Sequence, residues 1–162
     1  MAESIYIETG APKEIKYQQI LPQIEALIEG EEDQVAALAN VAAALHQPFQ
    51  HLWTGFYFVR NRDLKLGPFQ GPVACMTIAF GKGVCGRCWK EEEAIVVPDV
   101  DRFPGHISCN NESRSEIVVP IKTKDGKVIA VLDIDSAQLN AFDAIDRQYL
   151  QQLCEYLGKT IF

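Results

Sequence analysis

The dipeptide Asp125-Gly126 constrains this chain more than any other feature of its sequence. It separates two strand-like runs, the first carrying Glu116 and the second carrying Asp133 and Asp135. Asp-Gly between alternating apolar runs is a strong hairpin signal, because both central residues of a tight turn need a positive φ. With these two residues as the loop, Glu116 falls directly across from Asp135. Asp133 then projects from the same face, since strand side chains alternate with a period of two. Like charges placed opposite one another on a sheet are destabilising. Three acids converging at one end of a hairpin therefore call for a cation, a ligand amine or a shared proton.

The rest of the chain supplies a domain around that hairpin. At 162 residues, 48% hydrophobic and 23% charged, it has the size and balance of one soluble globular domain spanning 1–162. A net charge of −7 argues against nucleic acid and anionic membrane surfaces as partners. No apolar run approaches a membrane span, and the start MAESIYIETG lacks the basic-then-apolar pattern of a leader, so a cytoplasmic location is expected. Five cysteines, an odd number in a reducing compartment, make a fixed disulfide framework unexpected and leave redox chemistry, metal binding or burial open.

In chain order, residues 1–13 read as an irregular lead-in. Ile20, Leu21, Ile24, Leu27 and Ile28 recur at helical spacing and predict a helix over about 14–29, with Pro22 acceptable only in a first turn and Gly30 as the stop. A second helix is expected over 31–46, with Val35, Leu38, Val41 and Leu45 on one face and acidic residues in its first turn. A strand over 52–60 places Trp53, Gly55, Tyr57 and Val59 on one face, and a turn at 61–63 leads to a return strand over 64–69. After a rigid Gly/Pro loop, 73–78 reads as a short strand containing Cys75. Residues 84–93 read as a short helix carrying Cys85 and Cys88, and 94–97 as a buried strand. The stretch from Pro98 to Ser115 has no period, and a loop that long in a compact domain is functional or disordered. Asn140 to Asp143 reads as a capping box opening a last helix that buries Phe142, Ile145, Tyr149, Leu153 and Leu157. The order predicts an α+β fold: a mostly antiparallel central sheet with N-terminal and C-terminal helices packed on one side.

Chemistry concentrates in few residues. Cys109 sits in the long loop, where a thiol is reachable, and reactive cysteines are accessible and near a second thiol. The plain alternative is a loop cysteine without a role. Crowded carboxylates at Glu116, Asp133 and Asp135 raise one another's pKa, which suits a general acid; strand-end charges in water are the plain alternative, and calcium or magnesium the competing use. Cys85-Gly-Arg-Cys88 has CxxC spacing, and Cys75 with His106 would complete a zinc set, but a lone CxxC is weak and no metal site is expected. Trp53 and Tyr57 either pack as core or wall a small-molecule pocket. Cys154 falls on an apolar helix face and reads as core. His106 either lowers the pKa of Cys109 or orients the loop.

Three segments carry a resemblance to a known family: GPFQGPVACMTIAFGKGVCG (67–86), VPDVDRFPGHISCNNESRSEIVVPI (97–121) and VLDIDS (131–136), with Trp53-Thr-Gly-Phe-Tyr57 upstream. In these the chain resembles the GAF-domain free methionine-(R)-sulfoxide reductases over nearly its whole length. The resemblance implies a GAF fold and reduction of free methionine-(R)-sulfoxide, with Cys109 as nucleophile, Cys75 as resolving thiol and Cys85 as a third family cysteine available for disulfide exchange. It implies that Glu116, Asp133 and Asp135 hold the sulfoxide oxygen and the substrate amine, and that Trp53 and Tyr57 pack on the methylthio end. It implies no metal or organic cofactor, recycling by thioredoxin or a similar dithiol, and a homodimer as candidate assembly. Cys88 departs from the family pattern, in which small residues follow the Cys-Gly pair. The alternative function is a GAF small-molecule-binding or redox-sensing module without turnover. Sensing modules are joined to effector domains, for which this chain has no room, so the enzyme is the expectation.

Overall fold

The computed structural model describes residues 4–162; the first three residues of the expected lead-in lie outside the described residues. Two helices open the fold, α1 (Lys13–Ile28) and α2 (Gln34–Phe49). Strands β1 (Trp53–Arg60) and β2 (Asp63–Gln70) follow as a hairpin, then β3 (Thr77–Ala79), α3 (Gly83–Glu91) and β4 (Ile95–Val97). A single 3-10 turn at Val100–Arg102 interrupts the long loop before β5 (Ser115–Lys122), β6 (Val128–Ser136) and α4 (Ala144–Thr160). The six strands form one sheet in the order β3-β2-β1-β6-β5-β4, with every neighbouring pair antiparallel. The α+β expectation holds.

Strand alternation divides the interior into two layers. Phe56 and Phe58 of β1, Ile117, Val119 and Ile121 of β5, and Ala130, Leu132 and Ile134 of β6 face α1, α2 and α4. The intervening residues Trp53, Tyr57, Val118 and Val131 face the other way, against Val84, Cys85 and Cys88 of α3. Both sheet faces are covered, so burial enforces the register: a slip of one residue would exchange the two layers.

The central hairpin reaches its register by two offsetting irregularities. The turn is one residue longer than the Asp-Gly signal implies: Thr123 N–H bonds to Lys127 O, Gly126 N–H bonds back to Thr123 O, and Gly126 takes φ +80°. This is the three-residue loop with a left-handed glycine. Lys122 then pairs with Val128 but Ile121 pairs with Ala130, so Ile129 is an extra residue in β6. That bulge cancels the longer turn, and Glu116 lies opposite Asp135 as the sequence implies.

Several local expectations need correction. Pro22 lies in the middle of α1, not its first turn; burial of Tyr17, Ile20, Leu21, Ile24 and Ile28 outweighs the lost backbone bond, a cost of about 3 kcal/mol. The second helix begins three residues later than expected, with Asp33 as N-cap accepting from Ala36 N–H, so Glu31 and Glu32 precede it. Val35 is 60% exposed, because Ala37, Ala42 and Ala44 share the buried face with Leu38, Val41 and Leu45. The capping box of α4 is formed by Asp143 and Asp146, one turn beyond Asn140. Phe142 therefore precedes the helix, and Leu150 and Cys154 join Leu153 and Leu157 as its buried residues, while Ile145 and Tyr149 are only partly covered. Cys75 lies in a loop and not in a strand. Pro72 lacks an N–H, Val73 and Met76 stand 87% and 76% exposed, and the paired residues of the strand start only at Thr77.

Candidate active site

The layer under α3 opens at the end of the sheet where β1, β5 and β6 lie side by side. Trp53 pairs with Asp135, Gly55 with Asp133, and Glu116 with Asp135, which brings one aromatic and three acids onto a single patch of sheet. Gly55 is required there: a Cβ on it would sit 2.5 Å from the Trp53 ring and 2.4 Å from Cβ of Phe69. Without that side chain the Trp53 ring folds over its own strand, stacked on Phe69 at 5.3 Å and on Tyr57 at 5.9 Å between ring centres. The Tyr57 hydroxyl donates to the backbone oxygen of Cys75 at 2.9 Å, fixing the β2–β3 loop over the patch.

The long loop closes the patch from the other side. Cys109 is joined to Cys75 as a disulfide, with their Cα atoms 5.3 Å apart. His106 Nε2 lies 3.5 Å from Glu116 Oε2, and the Ser113 hydroxyl donates to Asp135 Oδ1 at 2.7 Å. Trp53, Tyr57, Cys85, Cys109, His106 and the three acids all line one cavity. Its free space is about 40 Å³, room for about one or two water molecules.

The electrostatics follow from burial. Sγ of Cys85 on α3, one carboxylate oxygen of Glu116 and one of Asp133 lie within 4.8 Å of one another. Burial, reinforced by repulsion from Asp135, pushes both Glu116 and Asp133 well above the usual carboxylate range, and the two also repel one another. Asp135 is pushed up to about 6 by burial, held back by the Ser113 hydroxyl and by His106. Cys85, buried beside these acids, is held well above an ordinary thiol. Two buried groups lack a hydrogen-bond partner: Asp133 Oδ1 and the Trp53 indole N–H. Such orphans are costly in a dry site and mark where a ligand would bond.

Of the eight site residues expected from the sequence, Trp53, Tyr57, Cys85, Cys109, Glu116, Asp133 and Asp135 line this cavity; Cys75 does not, and is tied to it through its bond to Cys109. The zinc set of Cys75, Cys85, Cys88 and His106 does not form, since Cys75 is bonded to Cys109. Cys88 is buried in the layer beneath and does not line the cavity, and Cys154 is in the helical core as expected. Ser113, Val84 and Gly83 of the lining were not anticipated. Ser113 lies in the aperiodic stretch, where no pattern distinguishes it from its exposed neighbours.

A GAF domain model matches residues 30–161. The free methionine-R-sulfoxide reductase of Saccharomyces cerevisiae is 39% identical over 98% of this chain and 93% of that protein. The chain belongs to the GAF-domain free methionine-R-sulfoxide reductases. GAF domain-containing protein A of Dictyostelium discoideum is 52% identical over 97% of this chain and 99% of its own length. Among solved structures, the free methionine-R-sulfoxide reductase of Neisseria meningitidis in complex with its substrate superposes with a TM-score of 0.92 at 46% identity, covering 96% of this chain and 93% of that one. As a member of this reductase family the chain is an oxidoreductase with a GAF fold. Among the described residues, no helix is long and apolar enough to cross a membrane.

Proposed function

We propose that this protein, acting as one unit over 1–162, reduces free L-methionine-(R)-S-oxide to L-methionine, and that the cavity is where it does so. The observation that carries this reading is the Cys75–Cys109 disulfide at a cavity lined by Cys109 and the buried, crowded carboxyls of Glu116, Asp133 and Asp135. A sulfoxide is a poor electrophile until its oxygen receives a proton or a strong hydrogen bond. Carboxyls held neutral at ordinary pH supply one.

Cys109, as thiolate, attacks the sulfoxide sulfur while the acid cluster protonates the oxygen. The oxygen ends on Cys109 as sulfenic acid, and the substrate sulfur leaves as the thioether of methionine, reduced by two electrons. The Cys75 thiol then attacks that sulfenic sulfur; an S–S bond forms, the S–O bond breaks, and the oxygen departs as water. An external dithiol, with thioredoxin as the proposed donor, reduces the disulfide and restores both thiols. Trp53 and Tyr57 wall the methylthio end. The ionised member of the acid cluster pairs with the free α-ammonium, a group that a peptide-bound residue lacks. The reaction needs no metal, and a homodimer is the candidate assembly, open to check by light scattering.

The test is to incubate the protein with a dithiol and, separately, free methionine-(R)-sulfoxide, free methionine-(S)-sulfoxide and a peptide containing the sulfoxide. Methionine from the free R form alone supports the reading. Binding of the R form without product would instead make the protein a GAF sensing module.

A further inference from the structure

Three groups of the reductase cavity also converge closely on one another. Sγ of Cys85, one carboxylate oxygen of Glu116 and one of Asp133 all lie within 4.8 Å of one another, and all three residues are buried. Asp133 is 94% buried and its Oδ1 has no partner. Among the described residues lining the cavity there is no lysine or arginine to neutralise these acids. Two carboxyls and a thiol in a dry site must share a proton or take a cation.

We propose that Cys85, Glu116 and Asp133 form a binding site for a single thiophilic divalent cation of the zinc class. One sulfur and two carboxylate oxygens suit a borderline-soft ion; calcium and magnesium want six or more oxygens. Free space of about 40 Å³ in the disulfide form admits an ion with a water. Coordination would satisfy Asp133 Oδ1, and His106, 3.5 Å from Glu116, stands behind the carboxylate as an outer partner. This is a different ligand set from the CxxC pair, because Cys88 lies outside it. The site exists only while Cys85 is a free thiol, so drawing Cys85 into disulfide exchange abolishes it. The inference does not depend on turnover, and the metal is not a participant in the reductase reaction.

The test uses the full chain with the Cys75–Cys109 disulfide intact and no reductant, so that the only thiols are Cys85, Cys88 and Cys154. Cadmium is titrated in, and the ultraviolet cadmium–thiolate charge-transfer band is followed. One equivalent should saturate the band, zinc should displace it, and an equal concentration of magnesium should not. The band should survive Cys88→Ser and Cys154→Ser and vanish in Cys85→Ser. The near-isosteric Asp133→Asn and Glu116→Gln, checked for fold by circular dichroism, should each weaken binding about tenfold or more. No band in the wild-type protein, a band that survives Cys85→Ser, or one that Cys88→Ser alone removes would overturn the proposal. So would full affinity in both carboxamide variants.

Discussion

His106 Nε2 lies 3.5 Å from Glu116 Oε2, tying the loop that carries Cys109 to the strand that carries the acids. The Ser113–Asp135 hydrogen bond makes a second tie on the far side of Cys109. Between them these contacts anchor both sides of the Cys109 loop to the strands that carry the acids. His106→Ala should therefore lower kcat/KM about tenfold to a hundredfold, the scale of a misplaced reacting group. Steady-state kinetics on the free sulfoxide check this; an unchanged kcat/KM would make the pair incidental.

The acids store instability that the variants should release. Asp135 has its pKa raised from 3.8 to about 6, so the stability it contributes is full below its unfolded value and is lost as pH rises through about 6. Glu116 and Asp133, raised further by burial, extend that loss to higher pH. Asp133→Asn and Glu116→Gln should flatten the fall in Tm as pH rises, and should be more stable than wild type at alkaline pH. The same variants should lose about 100-fold or more in kcat. Thermal melts across pH give the comparison, and parallel curves for wild type and variants would mean the acids ionise freely.

Gly55→Ala places a methyl group 2.4 Å from Cβ of Phe69 and 2.5 Å from the Trp53 ring. Trp53 must move off its stack, at a cost of about 1–3 kcal/mol. The expected outcome is a lower Tm together with a raised KM for the sulfoxide. A lower Tm with unchanged KM would remove Trp53 from the substrate wall.

The disulfide form should reject substrate, since free space of about 40 Å³ holds about one or two waters. Calorimetry should show methionine-(R)-sulfoxide binding the disulfide-free Cys109→Ser protein at least about tenfold more tightly than the oxidised wild type. Equal affinities would mean that the loop opens without reduction.

Much of this arrangement was legible in the sequence, for identifiable reasons. Strand alternation placed Trp53 and Tyr57 on one face and joined Glu116, Asp133 and Asp135, because both layers of the sheet are buried and the register has no freedom. The Glu116–Asp135 pairing came out right although the turn did not: the longer turn and the Ile129 bulge offset each other, and neither alters the apolar pattern. Cys75 read as a strand residue because Val73–Ile78 is apolar, yet strand formation needs a partner edge, which begins only at Thr77. The N-termini of α2 and α4 shifted by three residues because acidic residues recur at both, and it is Asp33 and Asp143 whose side chains accept from the first backbone N–H groups of the helices. Ser113 and the His106–Glu116 contact depend on how an aperiodic loop folds back, a tertiary fact without a local signature.

The division of labour between the cysteines is tested most directly by one round of chemistry in the Cys75→Ser protein. The reduced variant is mixed with excess free methionine-(R)-sulfoxide, methionine is quantified, and a sulfenic-acid trap followed by mass spectrometry locates the oxidised sulfur. One equivalent of methionine per chain is expected, with the trap on Cys109 and no further product when thioredoxin is added. Absence of methionine with the fold intact, or a trap adduct on Cys85 or Cys88 in place of Cys109, would contradict that division of labour.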